Sequence, residues 1–134
     1  SDINVLANYI YGLPGDNKES IEKTFELSKK LNTEGWNTYA AMALPGSKLY
    51  HDAMEQNIKL PQNYEEFSFH AFNTLPLPTK HLSPGEVLKL RDEKFIEYHS
   101  NKKFLDRIHK KFGANAVLNI KEMLKIKIKR KIYN

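Results

Sequence analysis

The sequence predicts an α/β fold, and three observations carry that prediction. Two short apolar stretches, residues 4–11 and 36–43, are each followed by a proline–glycine turn signal, Gly12-Leu13-Pro14-Gly15 and Pro45-Gly46. An amphipathic pattern over 17–31 lies between them and has the length that a right-handed parallel crossover needs. Residues 83–134 then carry only helical patterns.

Residues 4–11 (Asn-Val-Leu-Ala-Asn-Tyr-Ile-Tyr) are apolar and aromatic, as a strand buried in a parallel sheet is. Asp16 with Glu19 three residues on forms a capping-box pattern. Ile21, Phe25, Ser28 and Leu31 follow at helical spacing. After the second strand, Ser47 is placed to cap a short helix running to about Asn57. Residues 58–82 hold three prolines and several aromatics, which predicts an ordered connector lying over other structure. Ser83-Pro84-Gly85-Glu86 combines a serine cap, proline at the first helical position and glutamate at the third. Its helix is expected to run to about His99, with Val87, Leu90, Phe95 and Tyr98 on one face. A further helix over 101–112 directs Phe104, Leu105, Ile108 and Phe112 inward and stops at Gly113. The last is expected over 115–132, from Ile120, Leu124, Ile128 and Ile132 at four-residue steps.

A chain of 134 residues with 40% hydrophobic content has the size of one domain and enough apolar material for a core. No apolar run nears the roughly 20 residues that span a bilayer, and the Ser-Asp-Ile-Asn start lacks the basic and apolar regions of a signal peptide. The expected location is the cytoplasm. Cysteine is absent, so disulfides and cysteine-held clusters are excluded within this chain. The net charge of +5 is uneven: residues 1–100 have 10 Lys/Arg against 14 Asp/Glu, and residues 101–134 have 11 against 2. The basic character therefore belongs to the tail.

Two parallel strands make too small a sheet for a complete α/β domain. The expectation is that further strands belong to the same polypeptide, or that copies pair through exposed strand edges. Two glycines three apart at a strand's C-terminal end suit close approach of a ligand to backbone, and that end of a parallel sheet is where ligands bind.

The stretch Asn8-Tyr9-Ile10-Tyr11-Gly12-Leu13-Pro14-Gly15-Asp16 resembles the G-x-I-x-G-x-x-G motif of radical S-adenosylmethionine enzymes, with Asn8 in place of the first glycine. About thirty residues later, Ala41-Met42-Ala43-Leu44-Pro45-Gly46-Ser47-Lys48-Leu49-Tyr50 resembles the sixth strand of that family's barrel and the Pro-Gly-(Ser/Thr)-x-Leu/Ala segment after it. Residues 73–80, Leu82-Ser83 and Arg91-Asp92-Glu93 are similar to the region after the barrel in cobalamin-dependent members related to anaerobic magnesium-protoporphyrin ester cyclase.

The resemblance implies that 1–57 are the last strand–helix units of a partial TIM-type barrel, 58–82 a connector and 83–134 a helical extension with a basic tail. It implies that Ile10, Gly12, Gly15 and the backbone of Ala41, Met42 and Ala43 contact the adenosyl group of S-adenosylmethionine. It also implies a [4Fe-4S] cluster held by a CxxxCxxC loop, and cobalamin. With no cysteine here, both fall to a missing N-terminal part of the same polypeptide, and the isolated chain is expected to be inactive.

Other residues point elsewhere. The five histidines lack metal-ligand spacing. His70, between Phe69 and Phe72, is the one nearest to a substrate-facing context, although a packed or surface role is the more ordinary one. Tyr9, Tyr11, Trp36, Tyr39 and Met42 read as core and barrel wall. Glu65, Glu66, Asp92 and Glu93 form adjacent pairs that point apart and are expected in solvent. Lys121, Lys125, Lys127, Lys129, Arg130 and Lys131 interleave with isoleucines. A basic amphipathic helix of that kind suits nucleic acid or an anionic surface, against the plainer alternative of a docked helix with lysines reaching water.

Overall fold

A computed structural model describes residues 2–133; Ser1 and Asn134 lie outside it. Strand β1 (Leu6–Tyr11), helix α1 (Lys18–Leu31) and strand β2 (Gly35–Ala40) form a strand–helix–strand unit. The strands pair in parallel, with Leu6 opposite Gly35 and Tyr11 opposite Ala40. Helix α2 (Lys48–Glu55) follows, then a connector with one 3₁₀ turn at Tyr64–Phe67. Helices α3 (Pro84–Ser100), α4 (Lys102–Phe112) and α5 (Ala114–Leu124) complete the chain, with a second 3₁₀ turn at Lys131–Tyr133.

Side chains alternate across a strand, so each strand presents two unlike faces. Tyr11, Trp36, Thr38 and Ala40 are buried on one face, against Ile21, Phe25 and Ser28 of α1 and Val87, Leu88 and Tyr98 of α3. Trp36 lies at the centre. Its ring stacks on Tyr98 at 5.1 Å and 16°, meets Phe25 edge-on at 6.3 Å, and donates Nε1–H to Ser28 Oγ at 3.0 Å. A buried indole needs such a partner, and aromatic pairs of this geometry add to the burial of their area. The other face carries Leu6, Asn8 and Ile10 of β1 beside Asn37 and Tyr39 of β2. Ile10 on this face is 54% exposed.

Helix α3 begins as its sequence predicts. Glu86 N–H donates to Ser83 Oγ at 3.2 Å and Ser83 N–H donates to Glu86 Oε2 at 2.7 Å. Helix α1 differs from expectation. Its cap is Asn17, whose side chain accepts from Ser20 N–H at 2.8 Å. Asp16 is engaged by the turn, accepting the N–H groups of Gly12 at 2.9 Å and Leu13 at 3.2 Å. Leu31 and Phe112, expected inward, are exposed at the last turns of their helices.

The final helix ends at Leu124, eight residues short of the predicted 132. Beyond it, Lys125-Ile126-Lys127-Ile128-Lys129 alternates with period two, and β-branched isoleucines weaken a helix further. The segment leaves the helix and Arg130 docks, only 3% exposed.

Gly12 shows how tightly α3 seats on the sheet. Its φ is +84°, and a Cβ there would stand 2.5 Å from Val87 Cγ1. Gly15 has neither constraint, with nothing within 4 Å of such a Cβ. Gly12→Ala is therefore expected to destabilise the chain by about 2 kcal/mol or more through strain and clash. Gly15→Ala should stay within about 0.5 kcal/mol of the parent. Urea unfolding of the two variants checks this, and equal midpoints would refute the packing assigned to Gly12.

Candidate functional site

The C-terminal ends of both strands open on the uncovered face of the sheet. The ladder continues past β2, with Ala41 N–H donating to Tyr11 O at 2.8 Å. There the chains part, because Gly12 turns away and Asp16 takes its amide. The connector covers the gap: Leu77 N–H donates to Ala41 O at 2.9 Å, and Lys80 N–H to Pro14 O at 3.0 Å. Met42 and Ala43 are buried, and no hydrogen bond engages their backbone among the described residues. Buried backbone groups are usually paired, so these stand out.

Beside them lies a shallow apolar hollow of about 240 Å³. Ile10, Leu13 and Tyr39 form one side, Ala41, Met42 and Leu44 the floor along the strand end, and Leu49 and Phe69 the rim. The size and the apolar walls suit a flat heterocycle.

The structure brings together three of the six residues singled out in the sequence, Ile10, Ala41 and Met42. Gly12 faces Val87, on the covered side, so its effect on the hollow runs through the turn. Gly15 sits in open space beside the turn. Ala43 points away, into a small cluster with Ala53 and Leu77. Leu13, Leu44, Leu49 and Phe69 were missed as site residues. Leu13, Leu44 and Leu49 lie inside the motif segments and offered a signal. Phe69 reaches the hollow only through the connector's path, which no local pattern encodes. Its ring packs on Tyr39 at 4.8 Å.

That path is held by the tail. The Arg130 guanidinium donates to the carbonyls of Phe69 and, at 3.3 Å, Ala71, while Lys131 N–H donates to Phe72 O at 2.7 Å. Arg130 also pairs with Asp92 through Nε at 3.1 Å and Nη2 at 3.2 Å. Asp92 further accepts from Arg91 at 3.0 Å and the Tyr133 hydroxyl at 2.8 Å. Asp92 is thus not a solvated member of an acidic pair, and Arg130 is not a free cation of the tail. Arg91 donates its Nε–H to Thr38 O at 2.8 Å, which ties the clasp to β2.

Burial pushes the Asp92 carboxyl up, but the hydrogen bonds from Arg130 and Tyr133 and the Arg130 charge outweigh it and hold the group below the usual range. His70 is exposed, with its pKa lowered by partial burial and by the nearby Arg91 and Arg130; it does not line the hollow. His99 is buried in the aromatic core, its Nδ1 2.8 Å from Phe95 O, and burial lowers its pKa. No group of three or more His, Asp or Glu among the described residues is placed to hold a metal, and no helix there is long and apolar enough to cross a membrane.

A carboxylate with a depressed pKa stabilises the fold above its unfolded value of about 3.9, and that contribution is lost as pH falls through the folded value. Asp92→Asn is expected to lower the urea midpoint at neutral pH, because it removes the charge opposite a buried arginine. The gap from the parent should narrow below about pH 4. Hydrogen exchange should quicken in residues 69–72 and 125–133 together. A gap independent of pH would refute the charged clasp.

No family model matches the chain, and no solved structure matches it. Over 105 residues it is 25% identical to an uncharacterized methyltransferase of Pyrococcus horikoshii. The match takes in 77% of this chain and 22% of that protein, so the chain spans about a fifth of the relative's length. The chain is thus similar, at a distance, to part of a methyltransferase.

Proposed function

We propose that the chain is the C-terminal strand–helix portion of a TIM-type barrel in a radical S-adenosylmethionine enzyme, with α3 to α5 as its helical extension, and that the hollow takes the adenine of the cofactor. The observation that carries this reading is the meeting of Ile10 with Met42, whose buried backbone is unengaged among the described residues, at the C-terminal ends of two parallel strands. Three facts support it: both motifs occur in order, the sheet has one bare face, and the match covers a small part of a longer methyltransferase.

The residues fit the adenosyl end. Ile10, Leu13 and Met42 would hold the flat ring by apolar contact, and the amides and carbonyls of Met42 and Ala43 would meet its edge. Tyr39 and Phe69 would exclude water from the near side. When bound, S-adenosylmethionine supplies a methyl group or an adenosyl radical for chemistry on a substrate. The residues present do not fit a [4Fe-4S] cluster, since the chain has no cysteine; that role falls to preceding parts of the polypeptide. Cobalamin rests on the resemblance alone, and no residue here is assigned to it.

The bare face of β1, with Leu6, Asn8 and Ile10, would look into the barrel. Parallel sheets are covered on both faces, so preceding strands of the same polypeptide are the partner this face fits.

The test is S-adenosylmethionine binding by the protein of the complete reading frame, as parent and as Ile10→Glu. A carboxylate against the adenine is expected to weaken binding by about tenfold or more, equal to about 1.4 kcal/mol. The same substitution in the present chain should leave its melting temperature unchanged, because Ile10 is half exposed there. Unaltered cofactor binding by Ile10→Glu would sink the assignment.

A further inference from the structure

A second apolar hollow lies between α3 and the C-terminal tail. It has a volume of about 200 Å³. Asp92, Phe95 and Ile96 of α3 line one side, the Asp92 carboxylate being paired with Arg130, and Leu124 at the end of α5 with Ile126 and Ile128 of the tail line the other. Ile126 is 76% exposed, and Ile96, Met123 and Ile128 are also open to solvent. Ordinary surfaces scatter such residues singly; here they cluster.

The patch is set among cations. Lys121, Lys127, Lys129 and Lys131 are exposed, and their side chains make no ion pair among the described residues. Lys125 pairs with Glu122, the one acid between Ile120 and Tyr133. Arg130 is committed to Asp92 and the connector, so the clasp holds the lysine-bearing end of the tail in place rather than adding to its charge. Fixed aliphatic side chains flanked by free lysines match one chemistry on both counts: an acyl interior beneath a layer of phosphates. A nucleic acid would match only the cations. Phosphate contacts leave exposed aliphatic side chains unused, and single-stranded bases stack on aromatic platforms, whereas Ile126 and Ile128 are the residues between Lys125, Lys127 and Lys129.

We propose that this patch seats the chain on an anionic lipid bilayer, with Ile126 and Ile128 entering the boundary between headgroups and acyl chains and the lysines meeting lipid phosphates. The docked tail is not the amphipathic helix the sequence suggests. It is a short non-helical segment that lines a hollow with α3. Two signals, apolar and cationic, act together, and neither suffices alone.

Vesicle co-sedimentation of the full chain tests the proposal without reference to S-adenosylmethionine. The parent should pellet with vesicles of phosphatidylglycerol and phosphatidylcholine at low salt, be released at high salt, and stay in solution with phosphatidylcholine alone. Ile126→Glu should cut partitioning by about tenfold or more, with an unchanged thermal melt because the residue is exposed. Lys127→Glu with Lys129→Glu should do the same through charge. No pelleting with the anionic vesicles, or pelleting untouched by Ile126→Glu, would overturn the proposal. Capture of a DNA duplex without capture of vesicles would overturn it in favour of nucleic acid.

Discussion

The packing of Trp36 is the constraint from which the other features follow. Its indole joins β2 to α1 through Phe25 and Ser28, and to α3 through Tyr98 and Phe95. Phe104 of α4 reaches the same centre through Tyr98 at 4.9 Å. With these groups gathered on one face, α1 and α3 cover the same side of a two-stranded sheet. The parallel pairing and the side-chain alternation then decide which residues are left over. Leu6, Asn8 and Ile10 are bare because Tyr11, Trp36 and Ala40 are buried. The hollow at the strand ends is a consequence of where the core is.

The two ends of the sheet are finished by opposite means. At the start of the strands, Glu34 accepts the Val5 N–H at 2.9 Å, two bonds from Arg107 at 3.0 and 2.6 Å, and one from Lys111 at 2.9 Å. The Val5 hydrogen bond, then those from Arg107 and Lys111, hold this carboxylate well below its usual range. The knot ties α4 to the strand entry. At the other end the polar groups of the turn satisfy one another through Asp16, and what remains is apolar and open. A parallel sheet separates stability from ligand chemistry along its strands in this way.

The sequence made the local devices legible and the long-range ones obscure. Ser83, Pro84 and Glu86 act within one turn, so their spacing announced α3. The apolar character of the two strands and the helical spacing of Ile21, Phe25 and Ser28 likewise marked the core, but which strand face is buried was not read. The cap of α1 was misplaced by one residue, because Asp16 and Asn17 both suit the role and only the amides of Gly12 and Leu13 decide between them. The tail misled for a related reason. Ile120, Leu124, Ile128 and Ile132 satisfy a helical period, yet the lysine–isoleucine alternation satisfies a period of two over the same residues. The choice falls to Arg130, whose partners lie 38 to 61 positions away. Ile10, Ala41 and Met42 were readable as neighbours because a parallel crossover places successive strand ends side by side; Phe69 was not, because its place depends on that distant arginine.

The clasp and the hollow are therefore one mechanical unit. Phe69 forms the rim, its carbonyl is held by Arg130, Arg130 is held by Asp92, and Asp92 shares Arg91 with the backbone of β2 at Thr38. Each link is a charge-assisted hydrogen bond, the stronger kind, and two of the cations in it are buried. A loop tied only by its own turn would move relative to the sheet. This one is referenced to the strand on which Tyr39 stands, one residue beyond Thr38, so the Tyr39–Phe69 contact is fixed from both sides. The C-terminal tail thereby reaches the hollow indirectly, through the Arg130 bond to the Phe69 carbonyl.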